Sequence, residues 1–127
     1  MLFRSPGATQ RLSNDGRFQY LGGHTPLPSP LRERAVALGQ RAVEAVPGLL
    51  GYVGVDLILG EAADGSDDVV IEINPRLTTS YIGLRKLART NLAEVWLRLW
   101  KGESVDQPNW SNDVIEFTAE GTTRLAV

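Results

Sequence analysis

Hydrophobic positions recur along this chain with two periods. Leu31, Ala35, Leu38, Ala42, Val43 and Val46 return every three or four residues, which predicts an apolar stripe on a helix. Ser29 reads as its N-cap, Pro30 as a first-turn residue and Pro47-Gly48 as its stop. The period then falls to two. Val53, Val55, Leu57 and Leu59 alternate with Gly54, Asp56 and Ile58, predicting a strand from Leu50 to Leu59. A second strand, Asp68 to Asn74, puts Val69, Ile71 and Ile73 on a core face and Val70, Glu72 and Asn74 on the other. The polar run from Gly60 to Asp67 suits the turn of an antiparallel hairpin.

The flanks carry weaker patterns. Asn14-Asp15-Gly16 is a hairpin turn signal between residues around Thr9–Leu12 and Phe18–Leu21. Gly22 to Pro28 reads as an extended loop, because its prolines exclude helix. A second helix is predicted from Thr79 or Ser80 to about Ala88. A third runs from Asn91 or Leu92 to Trp100, with Leu92, Val95, Trp96, Leu99 and Trp100 as its apolar face. Strands Val114–Thr118 and Thr123–Val127 close the chain around Glu120-Gly121. The order predicts an α+β fold, an antiparallel sheet with packed helices, in a single domain spanning 1–127.

Composition narrows the function classes. A net charge of −2 gives no electrostatic footprint for nucleic acid or a membrane surface. The absence of cysteine excludes disulfides, thiolate metal sites and a cysteine nucleophile, and is compatible with a cytoplasmic setting. A lone histidine, His24, rules out a multi-histidine metal site within one chain; a surface or structural role is expected for it. The start, MLFRSPG, lacks an apolar run long enough for a signal peptide, and no window approaches a membrane span.

The chemistry gathers in VIEINPR, residues 70–76. A hairpin folded about Asp64-Gly65 brings Asp56 opposite or diagonal to Glu72, and Asn74 beside Gly54. Two carboxylates that close repel unless one is protonated or a cation lies between them. A set of Asp, Glu and Asn oxygens suits a hard ion such as Mg²⁺. Pro75 ends the strand, and Arg76 offers a planar fork for phosphate or carboxylate. Thr78-Thr79-Ser80 then leads into a helix whose N-terminus suits an anion. The competing reading is an ordinary half-exposed strand, which shows the same alternation. The acidic turn at Asp64, Asp67 and Asp68 lacks EF-hand spacing and reads as solvated. Arg85, Lys86 and Arg89 read as a solvated basic face, and Trp96 and Trp100 as core residues.

The runs GYVGVDLIL (51–59) and VVIEINPRLTTSYIGL (69–84), with FQYLGG (18–23) and Pro26 upstream, resemble the C-terminal lobe of ATP-grasp ligases over roughly residues 10–100. The likeness is to the carboxylate–amine group that includes tyramine–glutamate ligase and the large-chain ATP-grasp domains of carbamoyl-phosphate synthase. It implies that Asp56, Glu72 and Asn74 hold Mg²⁺ or Mn²⁺, with Glu72 bridging two ions and Asn74 holding the second. It implies a catalytic Arg76 on a phosphoryl group or acyl phosphate. Arg76, Thr78, Thr79 and Ser80 would line the ATP and substrate side. The implied reaction phosphorylates a carboxylate with ATP, after which an amine, or a thiol, attacks the acyl phosphate.

Part of the family pattern is missing. The family's preceding lobe supplies ATP-binding lysines, a phosphate-covering loop and an adenine hinge. Here Lys86 and Lys101 are the only lysines, both after the metal motif, and no G-x-x-x-x-G-K-[ST] pattern occurs. The expectation is an incomplete ATP-grasp domain, inactive alone: a truncated piece of a longer chain, a shortened gene product, or one component of a split ligase that works with a separate N-terminal lobe. The alternative is a non-catalytic remnant serving as a homodimer or partner-binding module.

Overall fold

A computed structural model describes residues 4–126; the first residues of MLFRSPG and the expected strand end at Val127 lie outside them. The elements are β1 (Arg11–Leu12), β2 (Tyr20–Thr25), α1 (Ser29–Glu44), β3 (Gly54–Ile58), β4 (Val69–Asn74), α2 (Ser80–Leu87), α3 (Leu92–Trp100), β5 (Ile115–Thr118) and β6 (Thr123–Leu125). Among the described residues all strand pairing is antiparallel, and with three helices the fold is α+β, as the sequence predicts. The chain divides into two compact units, residues 28–78 and the remainder.

The larger unit is built on a four-stranded sheet in the order β1-β2-β5-β6. Its second strand begins in the expected hairpin arm and runs on through residues 22–25, the stretch expected to be a loop. The prolines at 26 and 28 lie beyond Thr25, so they remove no donor from Tyr20–Thr25, and Gly22 to Thr25 pair with Thr118 to Ile115. Helix α2 packs on β2 and β5. Phe117 and Ile115 on β5 are buried with Leu84, Leu87, Leu92, Val95 and Val105. Thr25, fully buried, gives its hydroxyl to the Gly7 carbonyl at 2.6 Å, so its burial leaves no orphaned donor. Asn91 caps α3, its Oδ1 accepting from the N–H groups of Ala93 (3.1 Å) and Glu94 (3.2 Å). Trp96, half-buried, meets Tyr81 in a tilted ring contact at 5.1 Å between ring centres. Trp100, expected in the core too, is 74% exposed: it falls on the outer side of the last turn.

The smaller unit holds α1 packed on the β3–β4 hairpin. Pro28 takes the N-cap position, so Ser29 is the first helical residue and no side chain caps the helix. The first strand starts at Gly54 rather than Leu50, because Gly48 and Gly51 turn the chain with φ of 82° and 85°. Among the described residues, none in this unit is buried, and Leu50, Ile58, Val69, Val70, Ile71 and Leu77 are exposed.

A guanidinium ties the helix to the hairpin. Arg34 on α1 grips Asp68 with Nε at 3.0 Å and with Nη2, and Nη2 also reaches the Gly60 carbonyl at 2.9 Å. Asp68 accepts the Gly60 N–H at 2.9 Å. The hydrogen bonds from Arg34 hold the Asp68 carboxyl below the ordinary carboxylate range, and Asp68 holds Arg34 above its own. The neighbouring acids serve the turn itself. Asp67 accepts from the N–H groups of Glu61 and Ala62, and Asp64 from that of Ser66.

Candidate metal and phosphate site

The hairpin places the acids as its turn predicts. Asp56 pairs directly with Glu72, and Gly54 with Asn74. The far end differs from simple alternation. Leu57 pairs with Val70 and Ile58 with Val69, which leaves Ile71 as an extra residue without a cross-strand partner, a β-bulge. Cross-strand partners share a face. The acid-bearing face therefore reads Gly54–Asn74, Asp56–Glu72, Ile58–Val69, and Val70 joins Leu57 and Ile73 on the other side. Period-two counting gave the opposite sides for Val69 and Val70; it fails because the bulge adds a residue.

Asn74 sits between the carboxylates. Its Nδ2 donates to Glu72 Oε1 at 2.7 Å and to Asp56 Oδ2 at 3.3 Å. Its Oδ1 accepts from Arg76 Nη2 at 3.1 Å. The amide N–H groups thus occupy the position between two acids where a cation would neutralise both. A half-turn of the amide would present Oδ1 to that position. Two carboxylates and one amide oxygen form a hard-donor set that fits Mg²⁺ or Mn²⁺. Among the described residues no group of three or more Asp, Glu, His or Cys side chains that could hold a metal ion comes together.

Arg76 is brought back to this face by a tight turn. Its N–H donates to the Asn74 carbonyl across Pro75 at 2.8 Å, a γ-turn whose central φ proline supplies. Its Nη1 reaches the Leu77 carbonyl at 3.2 Å. The guanidinium is exposed, and its bonds run to neutral acceptors rather than to a carboxylate, an arrangement suited to meeting an incoming anion.

Thr78 also returns to the acid-bearing face. A Cβ on Gly54 would stand 2.6 Å from Thr78 Cγ2, so the threonine fills the space that any side chain there would take. Tyr52 and Thr78 join their hydroxyls at 3.0 Å. Asp56, Glu72, Asn74, Arg76 and Thr78 are therefore gathered within one unit. Thr79 and Ser80 open the other: Thr79 is the N-cap of α2 without a side-chain capping bond, and Ser80 its first residue. Tyr52 and Arg34 were not among the residues singled out in the sequence. Tyr52 lies four residues before Asp56 in a run already read for chemistry, a signal that could have found it; Arg34 carries none.

The chain belongs to the ATP-grasp family: residues 7–80 match the ATP-grasp domain model. All the site residues named from the sequence fall within that span. Among curated proteins the chain is similar to the tyramine–L-glutamate ligase of Methanocaldococcus fervens, 31% identical over 102 residues that make up 80% of this chain and 29% of that protein. It is 32% identical over 102 residues, 80% of this chain and 28% of the relative, to the enzyme of the same name from Methanocaldococcus jannaschii. The chain thus spans under a third of the length of these relatives. No solved structure matches it significantly. Among the described residues no helix is long and apolar enough to cross a membrane.

Proposed function

We propose that this chain supplies the metal- and phosphoryl-binding face of a cytoplasmic ATP-grasp ligase that joins a small carboxylate to an amine or thiol through an acyl phosphate. The single observation that carries the reading is the opposed Asp56–Glu72 pair with Asn74 bonded to both. In this reading Asp56, Glu72 and Asn74 would hold Mg²⁺ or Mn²⁺, with Glu72 and Asn74 both serving a second ion. When bound, the ions neutralise charge on the phosphates of ATP and on the transferring phosphoryl group. Arg76 adds its fork to the oxygens that gain charge in the transition state, the part of such reactions a protein can most improve. Thr78 borders the carboxylate to be phosphorylated. Similarity to tyramine–L-glutamate ligases supports a carboxylate and an amine as the substrate classes.

The reading includes a second component. The 28–78 unit buries none of its described residues and leaves Leu50, Ile58, Val69, Val70, Ile71 and Leu77 exposed. An apolar surface of this kind is what a further lobe, or a second copy, would cover. That same observation favours the alternative of a non-catalytic dimeric or partner-binding module. The test is to assay ATP hydrolysis by the purified chain alone, then with a separately expressed ATP-grasp N-terminal lobe. The expected result is no turnover alone and metal-dependent turnover on mixing. Turnover by the chain alone would overturn the need for a second component. No turnover with any such lobe, together with stable self-association, would leave the interaction module.

A further inference from the structure

We infer that Tyr52 is a positioning residue for Thr78, fixing the rotamer in which the Thr78 hydroxyl stands on the acid-bearing face beside Arg76's anion. The inference rests on the reading of that face given above.

Three observations carry it, all within the 28–78 unit. Gly54 shares its face with Asp56 and pairs with Asn74, so whatever fills the space above it lies next to the metal donors. Thr78 fills that space: from an ideal Gly54 Cβ its Cγ2 would be 2.6 Å away, and its Oγ1 3.3 Å. The Tyr52 hydroxyl meets Thr78 Oγ1 at 3.0 Å. Threonine has three staggered χ1 positions, and bonding to a fixed partner selects one. Tyrosine suits this task because its ring has few rotamers and its hydroxyl projects far from the backbone, reaching across 26 residues of sequence. Serine at Gly54 would push Thr78 away; glycine there and tyrosine two residues earlier act as a seat and a strut.

The test uses the 127-residue chain and phosphonoacetate, a stable anion bearing both a carboxylate and a phosphoryl group, titrated at fixed Mg²⁺ and followed by amide chemical shifts. Tyr52→Phe keeps the ring and removes the strut's hydroxyl. It should weaken phosphonoacetate binding about three- to tenfold, the range of one hydrogen bond. Thr78→Val should weaken it similarly, Thr78→Ser should bind within about twofold of the parent, and the double variant Tyr52→Phe/Thr78→Val should be no weaker than Thr78→Val alone. Mn²⁺ affinity should be unchanged in Tyr52→Phe. A merely structural tyrosine would lower the melting temperature while leaving phosphonoacetate affinity unchanged, and that result overturns the inference, as does full additivity in the double variant. A parent chain that binds Mn²⁺ but no phosphonoacetate removes it too. Glu72→Gln separates the two levels. If that change leaves Mn²⁺ affinity intact, the face itself has been misread; if it weakens Mn²⁺ and Tyr52→Phe alters nothing, only the role of Tyr52 falls.

Discussion

Replacing Glu72 with glutamine removes one negative charge while preserving shape. Glutamine keeps a carbonyl oxygen where Glu72 Oε1 now accepts Asn74 Nδ2 at 2.7 Å, so the local hydrogen bonding should persist. Glu72 is exposed, so the dielectric appropriate to its field is close to that of water. A divalent ion about 4 Å from one carboxylate then gains roughly 2 kcal/mol, and losing it should weaken binding about 30-fold. The ion pair is also open to salt, so the difference should shrink as ionic strength rises toward 1 M. The assay is a Mn²⁺ titration read by water-proton relaxation or calorimetry at low salt. Asp64→Asn is the matched control, because that carboxylate accepts the Ser66 N–H at 3.0 Å and serves its own turn. The expected pattern is a large loss for Glu72→Gln and none for Asp64→Asn. Equal affinities in the parent and Glu72→Gln would refute the metal-site argument. Equal losses in the two variants would mean that the ion responds to net charge rather than to this pair.

Three further outcomes follow from other parts of the molecule. Arg76→Gln should separate two affinities in opposite directions, leaving Mn²⁺ binding equal or tighter through loss of a nearby positive charge while weakening phosphoryl anions; losses of both would place Arg76 in the scaffold instead. Phe117→Ala, at a position with no solvent exposure, should cost about 3–5 kcal/mol in chemical denaturation, and a loss below 1 kcal/mol would mean that the β5 core is not the stabilising centre. The Arg34–Asp68 pair gives a pH signature. Because Asp68 is held below its ordinary range in the fold, its contribution is present above the unfolded carboxylate pKa of about 4 and is lost as pH falls through the lowered folded value. Denaturation midpoints should therefore fall more steeply with acid in the parent than in Arg34→Met, and parallel pH profiles would sink the assignment.

Much of the fold could be read from the sequence where a local signal set it. The start of α3 at Asn91 or Leu92, Asn14-Asp15-Gly16 as a turn and the stripe of α1 act over a few residues. The Asp56–Glu72 pairing was legible for the same reason, since a polar turn centred near Asp64-Gly65 fixes the register from its own position. The bulge was not, because V-V-I-E-I contains no glycine or turn residue to mark it. The half of β2 at residues 22–25 was missed because prolines colour their neighbourhood, although their effect on pairing stops at their own N–H position. The bonds from Arg34 to Asp68 and from Tyr52 to Thr78 join residues 34 and 26 apart, and no local pattern encodes them. Trp100 shows the limit of helical periodicity, which names a face and leaves open how far along it the cover extends.

The unpaired Ile71 has a consequence for comparing sequences. Its neighbours Val70 and Glu72 already have consecutive residues, Leu57 and Asp56, as partners. A relative lacking one residue at this point can therefore retain every rung of the ladder, with aspartate still facing glutamate and glycine still facing asparagine. An alignment gap at position 71 is then geometrically silent, whereas a gap one place beyond Glu72 would shift Asn74 and Arg76 out of register with the acids. Substitution counts across this motif should be weighed by that asymmetry, and the length of the strand matters less than the side of Glu72 on which it changes.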